Sequence, residues 1–451
     1  MSKVHKMIAG LLVCCYTLIL TSCMGNTADE AGSSASLSSE PAQSTASEHS
    51  NEEKITLRYM TWNTTEVTLQ GAYERFKTEY ESLHPNITIE YVDIPYGNMV
   101  QQAFTYAAAD DLPDIVEMST PFIATFITSN ILQPLDGLID QELLDDLQPV
   151  TLSEVTYNNQ IMAMPRIIIP QVLYYNKTLF EKAGLDPNMP PQTYDEMLEY
   201  AREIAKLKTD SGENIYGLGE GLAQQSNNGL FSMRNFIGFG CDFELVDGAL
   251  TVDEAAGIST LEYYRTLVKE NLCPEGALPK DLRNLFATGR LGMYFDVSNQ
   301  SATLNAIAPN GDAFEEEYGK AVVPVNANGV SNTTSNTASI GISATTPHAK
   351  EAAEFIEWLM SKEAYQIYFD ENNTVMTTRI SLSDDPLFTE GKDGAVLTQQ
   401  YPDGMVTLPP AQSYMEQFYV ELTKAISAAT QTDDSPASIV ASLNESIRGL
   451  V

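Results

Sequence analysis

The sequence predicts an α/β fold built as two lobes, and three observations carry that reading. Behind a leader and a polar stretch lie roughly 400 residues, more than one hydrophobic core usually serves. Near the start of this body a strand, a helix and a second strand follow one another as in a parallel α/β layer. A second strand-and-helix block opens near Gln171, and strand patterns return after residue 320 without a sheet-forming block of their own.

The elements follow in order. Ile55-Thr56-Leu57-Arg58-Tyr59-Met60 alternates as a strand, and Thr61-Trp62-Asn63 ends it. Leu69, Ala72, Phe76 and Tyr80 recur at helical spacing until Pro85. Ile87–Val92 and Asp114–Met118 read as further strands of the same sheet, and Phe122–Ile131 as a helix. In the second block, Gln171–Asn176 is a strand. A helix starts at Thr193, whose side chain is expected to cap the Glu196 amide while Glu196 reaches back. Helical patterns recur over Ile258–Val268 and Leu282–Phe286. Lys320–Pro324 and Ser339–Ser343 read as strands, His348–Met360 as a helix, and Ala411–Leu450 as two more.

The ends set the compartment. Lys3 and Lys6 precede an apolar run from Met7 to Leu20, then Thr21, Ser22 and Cys23, in the order of an export signal covering residues 1–22. That run is shorter than the roughly 20 residues a spanning helix needs. Leu20-Thr21-Ser22-Cys23 resembles a bacterial lipobox, which implies that Cys23 is lipidated and becomes the first residue. Residues 23–53 are mostly small and polar, a lipidated tether with too little apolar surface to fold.

A net charge of −36 excludes nucleic acid as a partner, because such binding rests on basic contacts to phosphates. Of the five cysteines only Cys241 and Cys273 lie beyond residue 23, either bridged or as two buried thiols. Of the four histidines only His84 and His348 lie in the body, which disfavours a histidine triad or a zinc site. Gly217-x-Gly219-x-Gly221 has the wrong spacing for a dinucleotide loop. No acidic pair stands out as a glycosidase would require. No enzyme, no cofactor and no metal are expected.

Three segments together carry a family resemblance. The first runs from Met164-Pro165 through Leu173-Tyr174-Tyr175-Asn176-Lys177 and Leu179–Leu185 to Pro190–Glu196. The second is Phe286-Ala287-Thr288-Gly289-Arg290-Leu291-Gly292-Met293-Tyr294, and the third is Ala349–Ala364. In this order they resemble the extracellular solute-binding proteins of carbohydrate ABC transporters, the group that includes maltose-binding protein. The resemblance implies a periplasmic-binding-protein-like fold of type II, with discontinuous lobes on a hinge. Lobe 1 would comprise 54–167 and 320–375, and lobe 2 would comprise 168–319 and 376–451. It further implies a monomer that binds a carbohydrate in the cleft, delivers it to permease subunits, and is held at the outer membrane face by its lipid.

A sugar site needs flat aromatic surfaces beside polar side chains, on loops at strand ends. Trp62 and Asn63 follow the first strand, where Trp62 reads equally as core. Ser119, Thr120 and Phe122 follow another strand, where Ser119 and Thr120 could instead cap a helix. Arg166 lies near a lobe crossing and could hold hydroxyls or a carboxylate, or form a structural ion pair. Asp296, Ser298 and Asn299 follow a strand where the family often has a glycine and then a stacking aromatic; here Val297 and Asn299 occupy those places. Tyr414 is the substitute aromatic. A neutral sugar is the first expectation, an acidic sugar held by Arg166 or Arg234 the second, and a non-sugar solute the third.

Overall fold

The computed structural model describes residues 53–66, 69–372, 376–390, 393–400, 405–406 and 411–451. The leader, Cys23 and the tether up to residue 52 lie outside the described residues. In chain order the main strands are β1 (Ile55–Thr61), β2 (Ile87–Asp93), β3 (Ile115–Ser119), β4 (Leu132–Gln133), β5 (Met164–Ile168), β6 (Gln171–Asn176), β7 (Tyr216–Gly219), β8 (Leu291–Val297), β9 (Tyr318–Ala321), β10 (Ala338–Ser343) and β11 (Met376–Thr377). The helices that matter below are α1 (Gln70–Leu83), α2 (Thr120–Ile127), α3 (Pro149–Val155), α4 (Tyr194–Ile204), α5 (Ser226–Gly238), α6 (Glu254–Lys269), α7 (Ala349–Leu359), α8 (Met415–Gln431) and α9 (Pro436–Arg448).

The strands form two principal sheets. The first runs β11-β5-β10-β3-β1-β2, with β4 also pairing with β10. Its β1, β2 and β3 are mutually parallel, with Ile55 opposite Ile87 and Tyr59 opposite Ile115. β3, β5 and β10 are buried along their whole length because helices cover both faces, whereas the edge strand β2 is partly exposed. Leu57 and Tyr59 share one core with Phe76 of α1 and Phe355 of α7, while Met60 joins a second core with Met118 and Phe126 on the opposite face. The second sheet runs β9-β6-β8-β7.

Two of the chain crossings between the sheets run side by side. Pro170 bridges Ser335, the Ile169 N–H donates to Ser335 Oγ at 3.1 Å, and the Gln171 N–H donates to the Thr334 carbonyl at 3.0 Å. The first crossing therefore falls at 168–171, close to the expected boundary. The return crossing falls later than expected. Tyr318–Ala321 pairs with β6 in the second sheet, so residues 320 and 321 do not belong with the first. That strand stops at Ala321 because the Val323 N–H goes to Gln400 Oε1 at 2.6 Å and Pro324 has no N–H. Conversely, Met376 and Thr377 pair with β5 in the first sheet rather than lying with the second.

Two local expectations change, and the alternative left open for the cysteines is decided. The helix after β3 starts at Thr120 with Pro121 in its first turn and ends at Ile127; Asn130 takes φ 60, which no right-handed helix continues. Thr193 Oγ1 does accept the Glu196 N–H at 3.2 Å, but Glu196 reaches back to the Gln192 N–H at 2.7 Å, one residue before the cap. Cys241 and Cys273 are free and buried, and burial pushes both thiols up, which makes them packing groups rather than nucleophiles.

The glycine-rich run serves packing. A Cβ on Gly217 would lie 2.1 Å from the Ala201 carbonyl oxygen, so β7 meets α4 without a side chain between them. Gly229 does the same on α5, where a Cβ would fall 1.9 Å from the Tyr419 carbonyl oxygen of α8.

Candidate functional site

The parallel strands β1, β2 and β3 end at one edge of the first sheet, and their following residues form an aromatic wall. Trp62 leaves β1, Tyr96 follows β2, and Phe122 stands in the first turn of α2 after β3. The Trp62 ring is edge-on to Tyr96 at 5.4 Å and to Phe122 at 6.2 Å, and Tyr96 and Phe122 are 5.4 Å apart. The Tyr96 hydroxyl lies 2.9 Å from Ser119 Oγ, with the amides of Asn227 and Asn336 beside it. Burial raises the Tyr96 pKa despite these polar neighbours, so it presents a neutral phenol.

α5 brings Asn227 beside the Tyr96 hydroxyl and Phe231 one turn further along the helix, and the return crossing brings Asn336. The Oδ1 atoms of Asn227 and Asn336 are shielded from solvent and have no hydrogen-bond partner among the described residues. Buried acceptors of this kind are costly unless something donates to them. Behind Phe231, Arg234 grips both oxygens of Glu220 at 2.6 and 2.5 Å and reaches Gln171 Oε1 at 3.2 Å. Its guanidinium carbon sits 3.9 Å from the centre of the Phe295 ring. A cavity of about 20 Å³ lies among Gln171, Glu220, Phe231, Arg234 and Asp296. Ligand pockets occupy roughly 300–1,000 Å³, and this cavity, lined wholly by residues 171–296 on the second sheet's side, is far smaller than that.

Trp62, Ser119, Thr120 and Phe122 thus fall at one edge, while other anticipated residues are engaged elsewhere. Asn63 donates to the Tyr73 hydroxyl at 2.7 Å and to Glu117 Oε1 at 2.9 Å. Arg166 meets the same pair at 2.8 and 3.3 Å, with its guanidinium over the Tyr368 ring. Both side chains therefore point into the core of the first sheet, where Thr61 also bonds Glu117. Burial disfavours the Arg166 cation, but Tyr73 and Glu117 outweigh it and leave its pKa raised.

On the second sheet Asp296 is clamped by Arg283 at 2.7 and 2.9 Å. Ser298 is fully buried and offers its carbonyl to Tyr174 and Lys320. Asn299 Oδ1 accepts from Gln300 at 3.0 Å. Tyr414 stands apart from the aromatic wall, its hydroxyl donating to the Gly248 carbonyl at 2.8 Å in an outer hairpin turn.

Tyr96, Asn227, Phe231 and Asn336 were missed. Tyr96 was recoverable from the strand-end rule that selected Trp62, since Pro95-Tyr96-Gly97-Asn98 follows β2 as a turn. Asn227 sits at the start of a helix after β7, again a strand-end position. Asn336 carried no local signal, because only the pairing of the two crossings places it.

Comparison with known proteins identifies the family and the fold. A binding protein of Brucella abortus (strain 2308) is 24% identical over 334 residues, covering 73% of this chain and 78% of the relative. The sn-glycerol-3-phosphate-binding periplasmic protein of Shigella dysenteriae serotype 1 is 29% identical over 203 residues, 43% of this chain and 44% of its own. Among solved structures, an ABC transporter solute-binding protein from Thermotoga lettingae bound with α-D-tagatose superposes with a TM-score of 0.73 at 21% identity, covering 88% of this chain and 99% of that one. The fold is thus the α/β periplasmic-binding-protein fold. Residues 63–366 match the family described as bacterial extracellular solute-binding protein, and the chain belongs to that family of non-enzymatic binders.

Proposed function

We propose that this protein is the substrate-binding component of an ABC importer, that it takes a neutral carbohydrate between its two lobes, and that a lipid on Cys23 holds it at the outer membrane face. The observation that carries the carbohydrate reading is the Trp62–Tyr96–Phe122 wall standing next to the unpaired Asn227 and Asn336 acceptors. Rings supply the flat apolar face that a sugar stacks on, and amide oxygens accept from its hydroxyls. The two arginines considered as cationic anchors, Arg166 and Arg234, are each held by a buried glutamate instead. The tagatose-bound neighbour supports the sugar reading and the importer role. The glycerol-phosphate-binding relative defines the competing ligand class. Within this reading Trp62, Ser119 and Phe122 contact ligand, joined by Tyr96, Asn227 and Asn336.

A thermal-shift panel tests the reading. Neutral mono- and oligosaccharides should raise the melting temperature, since ligand at 100 times Kd adds about 2.7 kcal/mol to the native state. Trp62→Ala should weaken that binding by roughly 1–3 kcal/mol, and added salt should matter little. Stabilisation only by sn-glycerol 3-phosphate or a uronate, falling steeply with salt, would overturn the neutral-sugar assignment.

A further inference from the structure

Helix α3 carries a buried carboxyl group outside the set of residues proposed above to contact ligand. Glu154 is 5% exposed. Its Oε2 accepts from Thr120 Oγ1 at 2.9 Å and its Oε1 from Thr337 Oγ1 at 3.4 Å. Thr120 Oγ1 in turn accepts the Thr337 N–H at 3.0 Å, so the carboxyl touches both the start of α2 and the end of the return crossing. The remaining side is closed by α8, which packs on α5 and α6 and so belongs with the second sheet. Met415 and Tyr419 of α8, with Ala411, share a cavity of about 10 Å³ with Thr120 and Glu154. Glu154 therefore sits where the two lobes meet, and its shielding depends on α8 lying against α2.

Nothing there balances a negative charge. Among the described residues no lysine, arginine or histidine forms an ion pair with Glu154. The groups facing it are Thr120, Ile123 and Ala124 from α2, Thr337 from the crossing, and Ala411, Met415 and Tyr419 from the α8 side. Tyr419 is the titratable one, its pKa raised by burial and then by Glu154 itself. Further along the same helix pair, Glu416 of α8 accepts from Thr125 of α2 at 3.5 Å. A carboxylate shielded from water without a cation is strongly disfavoured. In agreement, burial pushes the Glu154 pKa up to about 8, although both threonine hydroxyls pull the other way.

We propose that Glu154 is a proton-linked latch on lobe closure: the lobes close over it as the neutral acid, and parting α8 from α2 rehydrates it so that it releases its proton to solvent. The idea rests on the reading of the chain as a hinged solute binder. An acid whose pKa is raised in the closed form favours that form fully below the ordinary carboxylate range. The advantage is lost as pH rises and is gone by about pH 8. Across that window the closed-to-open ratio falls by up to tenfold per pH unit, and one proton is taken up per closure.

Solution scattering without ligand, at about pH 5.5 and about pH 9, reads this directly, compared between the wild-type chain and Glu154→Gln. The wild type should expand at the higher pH, and Glu154→Gln should stay compact at both. Infrared titration of the wild type, with Glu154→Gln as the reference, should show one protonated carboxyl persisting to near pH 8. If the variant does not fold, loss of a single protonated-carboxyl band together with expansion in the wild type still carries the test. A wild-type radius of gyration unchanged across the range, or no protonated carboxyl at neutral pH, overturns the latch. No sugar enters these measurements, so failure of the carbohydrate assignment leaves them interpretable. In a separate measurement, an equal decrease in radius of gyration on adding a saturating sugar at both pH values would remove the latch and keep the carbohydrate.

Discussion

Arg166 and Arg234 occupy equivalent roles in the two halves, each a guanidinium buried against a glutamate and laid over an aromatic ring. The sequence marked both as possible ligand anchors, because an arginine near a lobe crossing in an acidic protein suits either use. Burial decides between them. Arg166→Ala would leave Glu117 charged in the core of the first sheet, beside Tyr73 and Asn63. Removing one partner of a buried pair costs roughly 3–5 kcal/mol, so urea unfolding should show a loss of that size. Ligand affinity of the folded fraction should stay near wild type; a selective loss of binding at unchanged stability would return Arg166 to the site. The same residues explain what the sequence could and could not say. Trp62, Ser119 and Phe122 were legible because strand ends are local features. Asn63 misled because it follows the same strand end, yet its amide turns into the core to Tyr73 and to Glu117, the latter 54 residues away in sequence.

Helices α5 and α8 show the same lesson one level up. The sequence suggests α8 only loosely, as one of two tail helices, and does not suggest α5, since Ser226–Gly238 mixes asparagine, glycine and aromatics without a clean stripe. Tertiary packing makes α5 helical. Gly229 lets it approach the α8 backbone, and Ser232, Met233 and Phe236 are buried around that contact. Gly229→Ala should therefore destabilise by roughly 1–3 kcal/mol through overpacking, against the small gain in helix propensity the change would bring at an open site. A thermal melt at or above the wild-type temperature would show that the two helices can move apart at no cost. By contrast β1, β2, α1 and α7 were read almost to the residue, because strong alternation or a strong stripe and a strand-helix-strand order constrain each other.

On the scale of the molecule, α8 lies against α2 with a cavity of only about 10 Å³ between them, so the arrangement is closed at that contact. Opening must precede capture, and the paired crossings at 168–171 and 333–337 are the segments that can bend while both sheets stay intact. Scattering at a pH where the latch is neutral should show little change on adding a saturating sugar. At a pH where it is ionised the same sugar should compact the protein, because its binding energy then has an open population to shift. The two-lobed α/β plan was legible from the block order, whereas the lobe boundaries were not, because β9 and β11 are too short for their sequence to announce which sheet they join. One further consequence follows from β10. This strand, at residues 338–343, lies between β3 and β5 and pairs with both. During synthesis the first sheet therefore remains two unjoined pieces until some 280 residues after its first strand have emerged, a delay set by contact order. A chain that must thread a membrane channel before it folds gains from such a delay, since its amino-terminal half cannot lock into a finished sheet while the rest is still being made.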